Sequence, residues 1–388
     1  MIVPDSDNRT VHDYVPFYFA QKTPMQLAVL HKKNVDQQFI IYFAVPISIM
    51  ESRQGVYFTD ASANTDIPPA FHSALTPACL DTLNWRIIES LKWAYPNEVE
   101  RHQKMAELLV PDSVNISEVS YIVVWNQSIA DAVKQVFLNK GIFCPRVVIN
   151  KYHYYSDPQD NRYSLIAGPF FLKREFEQTL DRIFATQAQN KVFPSPESAL
   201  AAIRLNFAAI RELADIDGLR ANYGPHSDDV GTHSRRVAGL VVTSPEYQAL
   251  GNEDKVILEL AANFHDIGKG PKTRWTNSFM DKADNNHALK SLPMLERILG
   301  QEIGGLSRDA IRKLVMLVTY DDLLGDIAAN GRDKQQLFDI VTSESEVNML
   351  VALSRADIGS INQGWLFNTT AQIEQLKNEA IAYFQGAR

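Results

Sequence analysis

The pair His265-Asp266, in the run Asn-Phe-His-Asp-Ile-Gly-Lys-Gly, brings an imidazole, a carboxylate and the Lys269 ammonium together at the end of an apolar stretch. Glu253–Asn263 is patterned as a buried helix, so these groups face burial. Burying them unpaired would cost several kcal/mol. A divalent metal would pair them, because neutral imidazole and carboxylate are both good ligands. Further donors follow the same habit of sitting at helix ends. His233 begins a helix in Gly-Thr-His-Ser-Arg-Arg-Val, and His287 opens another in Asp284-Asn-Asn-His. Asp357 follows an apolar helix in Leu353-Ser-Arg-Ala-Asp-Ile-Gly. Successive helical residues diverge by about 100°. His265 and Asp266 can therefore share one ion only if other helices close the site. His226, in Gly-Pro-His-Ser-Asp-Asp, reads as a loop residue without a role.

The elements that would position these donors divide into two textures. Up to about residue 160 the chain alternates short β-rich runs with polar loops. Val11–Phe19, Phe39–Val45, Gly55–Phe58, Val119–Trp125 and Arg146–Ile149 read as strands. Asp81–Lys92 and Ile129–Asn139 read as helices, the second stopped by Lys140-Gly141. This is an α+β or α/β domain. Phe170–Gln189 reads as a helix within a linker spanning 161–195, which ends in the break Phe193-Pro194-Ser195-Pro196. From residue 196 to 388 the pattern is helical. Ser198–Asp215, Thr232–Val242, Glu253–Phe264, Ala288–Leu299, Ser307–Val318 and Glu346–Ala356 carry apolar residues at three- and four-residue spacing.

A chain of 388 residues, 45% apolar and with five Trp, is globular and long enough for two cores. Its net charge of −8 argues against a broadly basic nucleic-acid surface. Cys79 and Cys144 stand far apart and read as reduced thiols, which fits a cytoplasmic chain. The longest apolar run, around Phe39–Met50, contains a proline and is too short to cross a bilayer, so no membrane partner is expected. The oligomeric state is open.

The order His233, His265-Asp266, Asp357 on helices resembles the HD-domain metal-dependent phosphohydrolases over about residues 196–388. Within that superfamily the likeness is to the HD domain of the uridylyl-removing enzymes that act on PII proteins. It rests on His-Asp-Ile-Gly-Lys-Gly, Asp284–His287, Leu323-Leu324 with Arg332-Asp333, and Ala356-Asp357-Ile358. The resemblance implies an all-α bundle with His233, His265, Asp266 and Asp357 holding a divalent ion (Mn, Fe, Ni, Zn or Mg). Such an ion would activate water and polarise a phosphoryl oxygen. Asp266, Lys269 and His287 would be catalytic, and Lys269 and Arg236 would hold phosphate. HD enzymes with two ions add histidines on a later helix. The corresponding Tyr320-Asp321-Asp322 has none, so one tight ion is expected.

His12-Asp-Tyr-Val-Pro-Phe-Tyr-Phe19, followed by Thr23-Pro24-Met25, is similar to the DarT-type DNA ADP-ribosyltransferases. Supporting stretches are Val56–Ala63, Asn84-Trp85, Arg101–Val110 and Ile122–Val124. The resemblance covers about residues 1–155 and implies transfer of ADP-ribose from NAD to a base of single-stranded DNA. It maps the catalytic carboxylate to Glu107 and substrate contacts to His12 and Tyr14. The family carries a longer segment before this motif, with an early His motif for NAD and a catalytic Arg. Eleven residues precede His12, with Arg9 the sole arginine, so an incomplete transferase site is expected.

Three readings follow. The first is a phosphohydrolase acting on a nucleotide or phosphodiester, coupled to a DarT-like domain. The second is an NAD-dependent transferase acting on DNA, with the HD domain as regulator or reversal partner. The third is a non-catalytic nucleotide sensor.

Overall fold

The computed structural model describes residues 1–386 except 64, 66, 67, 76, 93, 94, 96, 159 and 226. His226 therefore lies outside the described residues. The chain divides into two compact units, Met1–His31 with Val35–Ile166, and Lys32–Asn34 with Ala167–Arg388.

In the first unit the Glu-Leu-Leu-Val-Pro run is buried on both faces and becomes a central strand. The strands are β1 (Tyr14–Tyr18), β2 (Tyr42–Ala44), β3 (Tyr57–Thr59), β4 (Phe71–Ser73), β5 (Glu107–Pro111), β6 (Tyr121–Val124) and β7 (Arg146–Ile149). One antiparallel sheet has the order β1-β5-β3-β4 and the other the order β2-β6-β7. β1 is an edge strand pairing with β5, which is where Pro16, lacking an amide proton, is tolerated. The expected strand Val11–Phe19 starts late. Asp13 accepts from the Thr10 amide and hydroxyl at 2.7 and 2.9 Å, folding Val11–Asp13 into a turn first. β6 and β7 are parallel and joined through helix α1 (Gln127–Lys140), capped by Asn126 and stopped at Gly141, φ +65°. The expected helix Asp81–Lys92 is instead a 3-10 segment, Pro77–Thr82, and a short helix, Trp85–Ile88. Asn84 accepts from the Ile87 amide and restarts the helix there.

The second unit is predominantly helical. Pro169–Ala185 (α2), read as part of a linker, places Leu172, Phe176, Leu180 and Ile183 in this unit's core. The sequence marks a break at the prolines after it, but the apolar face of α2 already belongs to the bundle. α3 (Pro196–Leu205) ends early because Asn206 is extended and accepts from the Ala208 amide, breaking the expected Ser198–Asp215 helix. The site-bearing helices are α4 (Val230–Val241), α5 (Asn252–Phe264), α6 (His287–Arg297), α7 (Arg308–Thr319), α8 (Leu323–Asn330), α9 (Glu344–Ile361) and α10 (Gln363–Gly386). Every residue of α5 from Ile257 to Phe264 is buried, so it is the central helix. Among the described residues no helix is long and apolar enough to cross a membrane. Leu260 is fully buried in α5. Leu260→Ala is expected to destabilise this unit by about 2–5 kcal/mol in denaturant unfolding. A loss below about 1 kcal/mol would show that α5 is not central to the core.

Candidate functional sites

Asp229 caps α4 by accepting from the Thr232 amide at 3.0 Å, which sets the helix start just before His233. α5 ends at His265, and Asp266 leaves helical geometry to open the turn Ile267–Lys269. A Cβ on Gly268 would lie 1.9 Å from the His287 carbonyl oxygen. Glycine alone lets this turn lie directly on the start of α6, and the Gly268 amide donates to Ser291 Oγ at 3.0 Å. That contact brings His287 Nε2 to 4.0 Å from Asp266 Oδ1.

His233 Nε2 lies 2.9 Å from Asp357 Oδ1 and 3.2 Å from His265 Nε2. Asp266 Oδ2 stands 3.5 Å from each imidazole. The far nitrogens fix the tautomers. His265 Nδ1–H donates to the Ala262 carbonyl at 2.8 Å. The Ser360 hydroxyl donates to the Asp357 carbonyl, so it accepts from His233 Nδ1–H at 2.9 Å. With Nδ1–H turned outward on both rings, the Nε2 atoms face one another and two carboxylates, an arrangement that a central cation, proton or metal, satisfies. The donor set suits a divalent ion, and the outward bonds are those that orient metal-ligating imidazoles. His233, His265 and Asp357 each offer an atom within 4.8 Å of the others.

Electrostatics agree. Burial pushes the Asp266 carboxyl up, but Lys269 Nζ at 2.7 Å and the nearby imidazoles hold it well below the usual range. Asp357 is likewise lowered against burial by the adjoining His233 and His265, most where those rings carry a proton. Burial lowers His265, yet Asp266 and Asp357 raise it overall. Proton and ion therefore compete for His265, so metal affinity weakens as pH is lowered.

Asp321 and Asp322 were read as lacking the histidines for a second ion. Asp321 Oδ2 lies 3.3 Å and Asp322 Oδ2 3.9 Å from His287 Nε2. His287 is buried. Burial lowers its pKa, but Asp321 and Asp322 raise it overall to about 10. Asp321 is also buried, and its Oδ1 has no hydrogen-bond partner. The carboxylates thus gather where the sequence showed only missing imidazoles.

Two cavities border the cluster. One of about 90 Å3 is lined by His233, Arg236, Asp266, Lys269 and Ser360. Arg236 pairs there with Asp228 at 2.7 Å and donates to the Ser360 carbonyl at 3.1 Å. The other, about 460 Å3, is lined by Asp321, Asp357 and Trp365 among others.

In the first unit Glu107 opens β5, buried, directly across from Tyr18 in register. Its amide donates to Thr59 Oγ1 at 3.2 Å. Burial pushes its carboxyl up to about 7 against a hydrogen bond from the Ala63 backbone. Nearby in sequence, Lys104 Nζ donates to the Ile88 and Ser90 carbonyls at 2.5 and 2.6 Å. Tyr14 stands four residues along β1 from Tyr18, about 13 Å away. It packs edge-on to Tyr57 in a small core with Val3 and Leu109. His12 is exposed in the preceding turn. Glu107 thus faces Tyr18, which the sequence reading had not singled out, while Tyr14 lies farther along the strand. Arg9 pairs with Asp112 at 3.1 Å.

Because the folded Glu107 carboxyl titrates near 7 rather than 4.5, the fold favours its protonated form. Stability from this group is full below pH 4.5 and is lost as pH rises to about 7. The loss is up to about 3 kcal/mol. Glu107→Gln should flatten that slope and be the more stable protein at pH 8. Parallel stability–pH curves for the two proteins would refute the assignment.

Residues 1–156 match the family model for "ssDNA thymidine ADP-ribosyltransferase, DarT". A DNA ADP-ribosyl transferase of Thermus aquaticus is 29% identical over 161 residues, covering 40% of this chain and 69% of the relative. The structure of Thermus sp. 2.9 DarT in complex with ADP-ribosylated ssDNA is 27% identical. It covers 40% of this chain and 74% of that one, with a TM-score of 0.36. The same enzyme in complex with NAD+ is also 27% identical, with 40% and 78% covered and a TM-score of 0.36. The metal-donor cluster lies beyond the residues that the family model matches. Residues 1–156, which form an α/β fold, are thus similar to the DarT family, and a mostly helical unit follows them.

Proposed function

We propose that the chain is an NAD-dependent ADP-ribosyltransferase acting on single-stranded DNA, with Glu107 as its working carboxylate. The match of residues 1–156 to the DarT family carries this reading. Glu107 fits the role chemically. It is a buried carboxyl poised near neutrality, able to hold or release a proton at its Oε atoms. NAD would supply the ADP-ribose, and Glu107 would orient the ribose or accept a proton from the attacking base. Structures of Thermus sp. 2.9 DarT are named as complexes with NAD+ and with ADP-ribosylated ssDNA. The test is incubation of the protein with labelled NAD and single-stranded DNA. Label on the DNA supports the reading, and NAD left intact opposes it.

A second activity is favoured by one observation, the paired Nε2 atoms of His233 and His265 facing Asp266 and Asp357. The helical unit is a metal-dependent phosphohydrolase of the HD type, with these four residues as ligands. Lys269 and Arg236 then serve phosphate in the 90 Å3 cavity. Elemental analysis of the purified protein and phosphate release from a generic ester test it. Protein free of metal after purification and after metal addition would sink it.

A further inference from the structure

The two cavities beside the metal-donor cluster differ in size and chemistry, and the difference carries information about substrate. The smaller, about 90 Å3, holds the cationic groups Lys269 and Arg236. These two cations suit a single tetrahedral phosphoryl group held beside His233 and Asp266. The larger, about 460 Å3, falls within the size range of small-molecule sites, about 300–1,000 Å3. Asp321, Asp322, Asp326 and Asp357 give it carboxylates, and no lysine or arginine is among its described lining residues. Lys33 and Arg332 pair with Asp326, at 2.7 and 3.3 Å, without lining the chamber. A second phosphate placed there would meet four carboxylates and no lysine or arginine of the described lining.

The same chamber is suited to a neutral, aromatic group. Trp365 is half exposed on it, and its backbone amide is held by Asn362 Oδ1 at 3.2 Å at the start of α10. Ser354 is buried there with an unpartnered hydroxyl, and Asp321 Oδ1 is also unpartnered. Asn368 adds an amide able to read a base edge. Such orphaned buried polar atoms are costly unless something bonds them.

We infer that the helical centre takes a nucleoside monophosphate, with its phosphate in the Lys269–Arg236 cavity and its base against Trp365. This rests on the phosphohydrolase reading above and specifies its substrate. The reaction balances without a co-reactant. A water oxygen bonds to phosphorus as the phosphorus–ester oxygen bond breaks. The electron pair stays on the ribose oxygen, which takes the proton given up by water, and the products are nucleoside and inorganic phosphate. Diphosphates and ADP-ribose are excluded because their second phosphate has no cationic subsite.

The test uses the full chain loaded with Mn2+ and calorimetric titration with thymidine monophosphate, AMP, ADP, ADP-ribose and inorganic phosphate. Phosphate release is assayed in parallel, with a 5′-phosphorylated oligonucleotide as the macromolecular source of the same ester. The monophosphates should bind at least tenfold tighter than ADP or ADP-ribose and release phosphate faster than the oligonucleotide. Trp365→Ala should weaken monophosphate binding roughly tenfold, while Trp365→Phe restores it. Equal or tighter binding of ADP or ADP-ribose overturns the inference, as does faster hydrolysis of the oligonucleotide. Metal bound with no phosphate released from any ester would instead defeat the phosphohydrolase reading. The calorimetric ranking would still decide the binding preference.

Discussion

Glu107→Gln is expected to lower ADP-ribose transfer to single-stranded DNA by about 10²–10⁴-fold, the usual contribution of a positioned acid–base group. The substitution keeps the shape of the side chain and removes its ability to ionise. It should not act by unfolding the domain. Burial already disfavours the carboxylate, so the neutral amide is the better-tolerated group at pH 8. Loss of activity in a protein that is more stable than its parent would place the defect in chemistry. The parent's rate should also rise as pH climbs through about 7, when the buried carboxyl becomes the base. A Gln variant that keeps more than about a tenth of the parent's labelling would end the assignment of Glu107. A rate flat from pH 6 to 8 would remove its role as a base.

The two proposed chemistries act on different bonds. ADP-ribose on a DNA base is held by a glycosidic bond, whereas the helical centre would cleave phosphoesters. Direct reversal of the modification is therefore outside its reach. The acidic chamber beside the cluster also gives the pyrophosphate of ADP-ribose no cationic partner. If the helical unit serves the transferase, it does so through nucleotide metabolism rather than by erasing the mark. Inactivating it should leave the level of ADP-ribosylated DNA unchanged in vitro.

Much of this was legible in the sequence because its signals are local. Pro16 lies in the edge strand β1, where a missing amide is tolerated because no neighbour needs it. Lys140-Gly141 marked a helix end, and Gly141 takes the left-handed conformation there. His265-Asp266 announced itself by placing polar groups after an apolar helix. What was hidden depends on register and on distant partners. Tyr14 and Tyr18 share one face of β1, and only the pairing with β5 sets Tyr18 opposite Glu107. The meeting of Asp321 with His287, and the Ser360 hydroxyl that fixes the His233 tautomer, join helices far apart in sequence. The periodicity of α2 says that it has an apolar face, not which unit covers it, so the sequence alone leaves it in the linker.

Asp266→Asn should remove the bound ion and lower phosphohydrolase turnover by far more than 100-fold. Losing a group that merely supports a ligand already costs about 10–100-fold in metal affinity or activity, and Asp266 is placed to touch the ion itself. Its carboxylate faces both imidazoles and His287, so it joins the two ends of the cluster. The variant carries a stability defect as well, since Lys269 is buried against Asp266 and loses its counter-charge. Breaking one side of a buried pair costs about 3–5 kcal/mol, and replacing both sides by apolar groups is often neutral. This separates the two effects. Asp266→Asn combined with Lys269→Met should regain much of the stability of the helical unit and still hold no ion by elemental analysis. Recovery of metal along with stability would mean that Asp266 acts only as the partner of Lys269. Equal metal content in the parent and the single variant would remove Asp266 from the ligand set altogether.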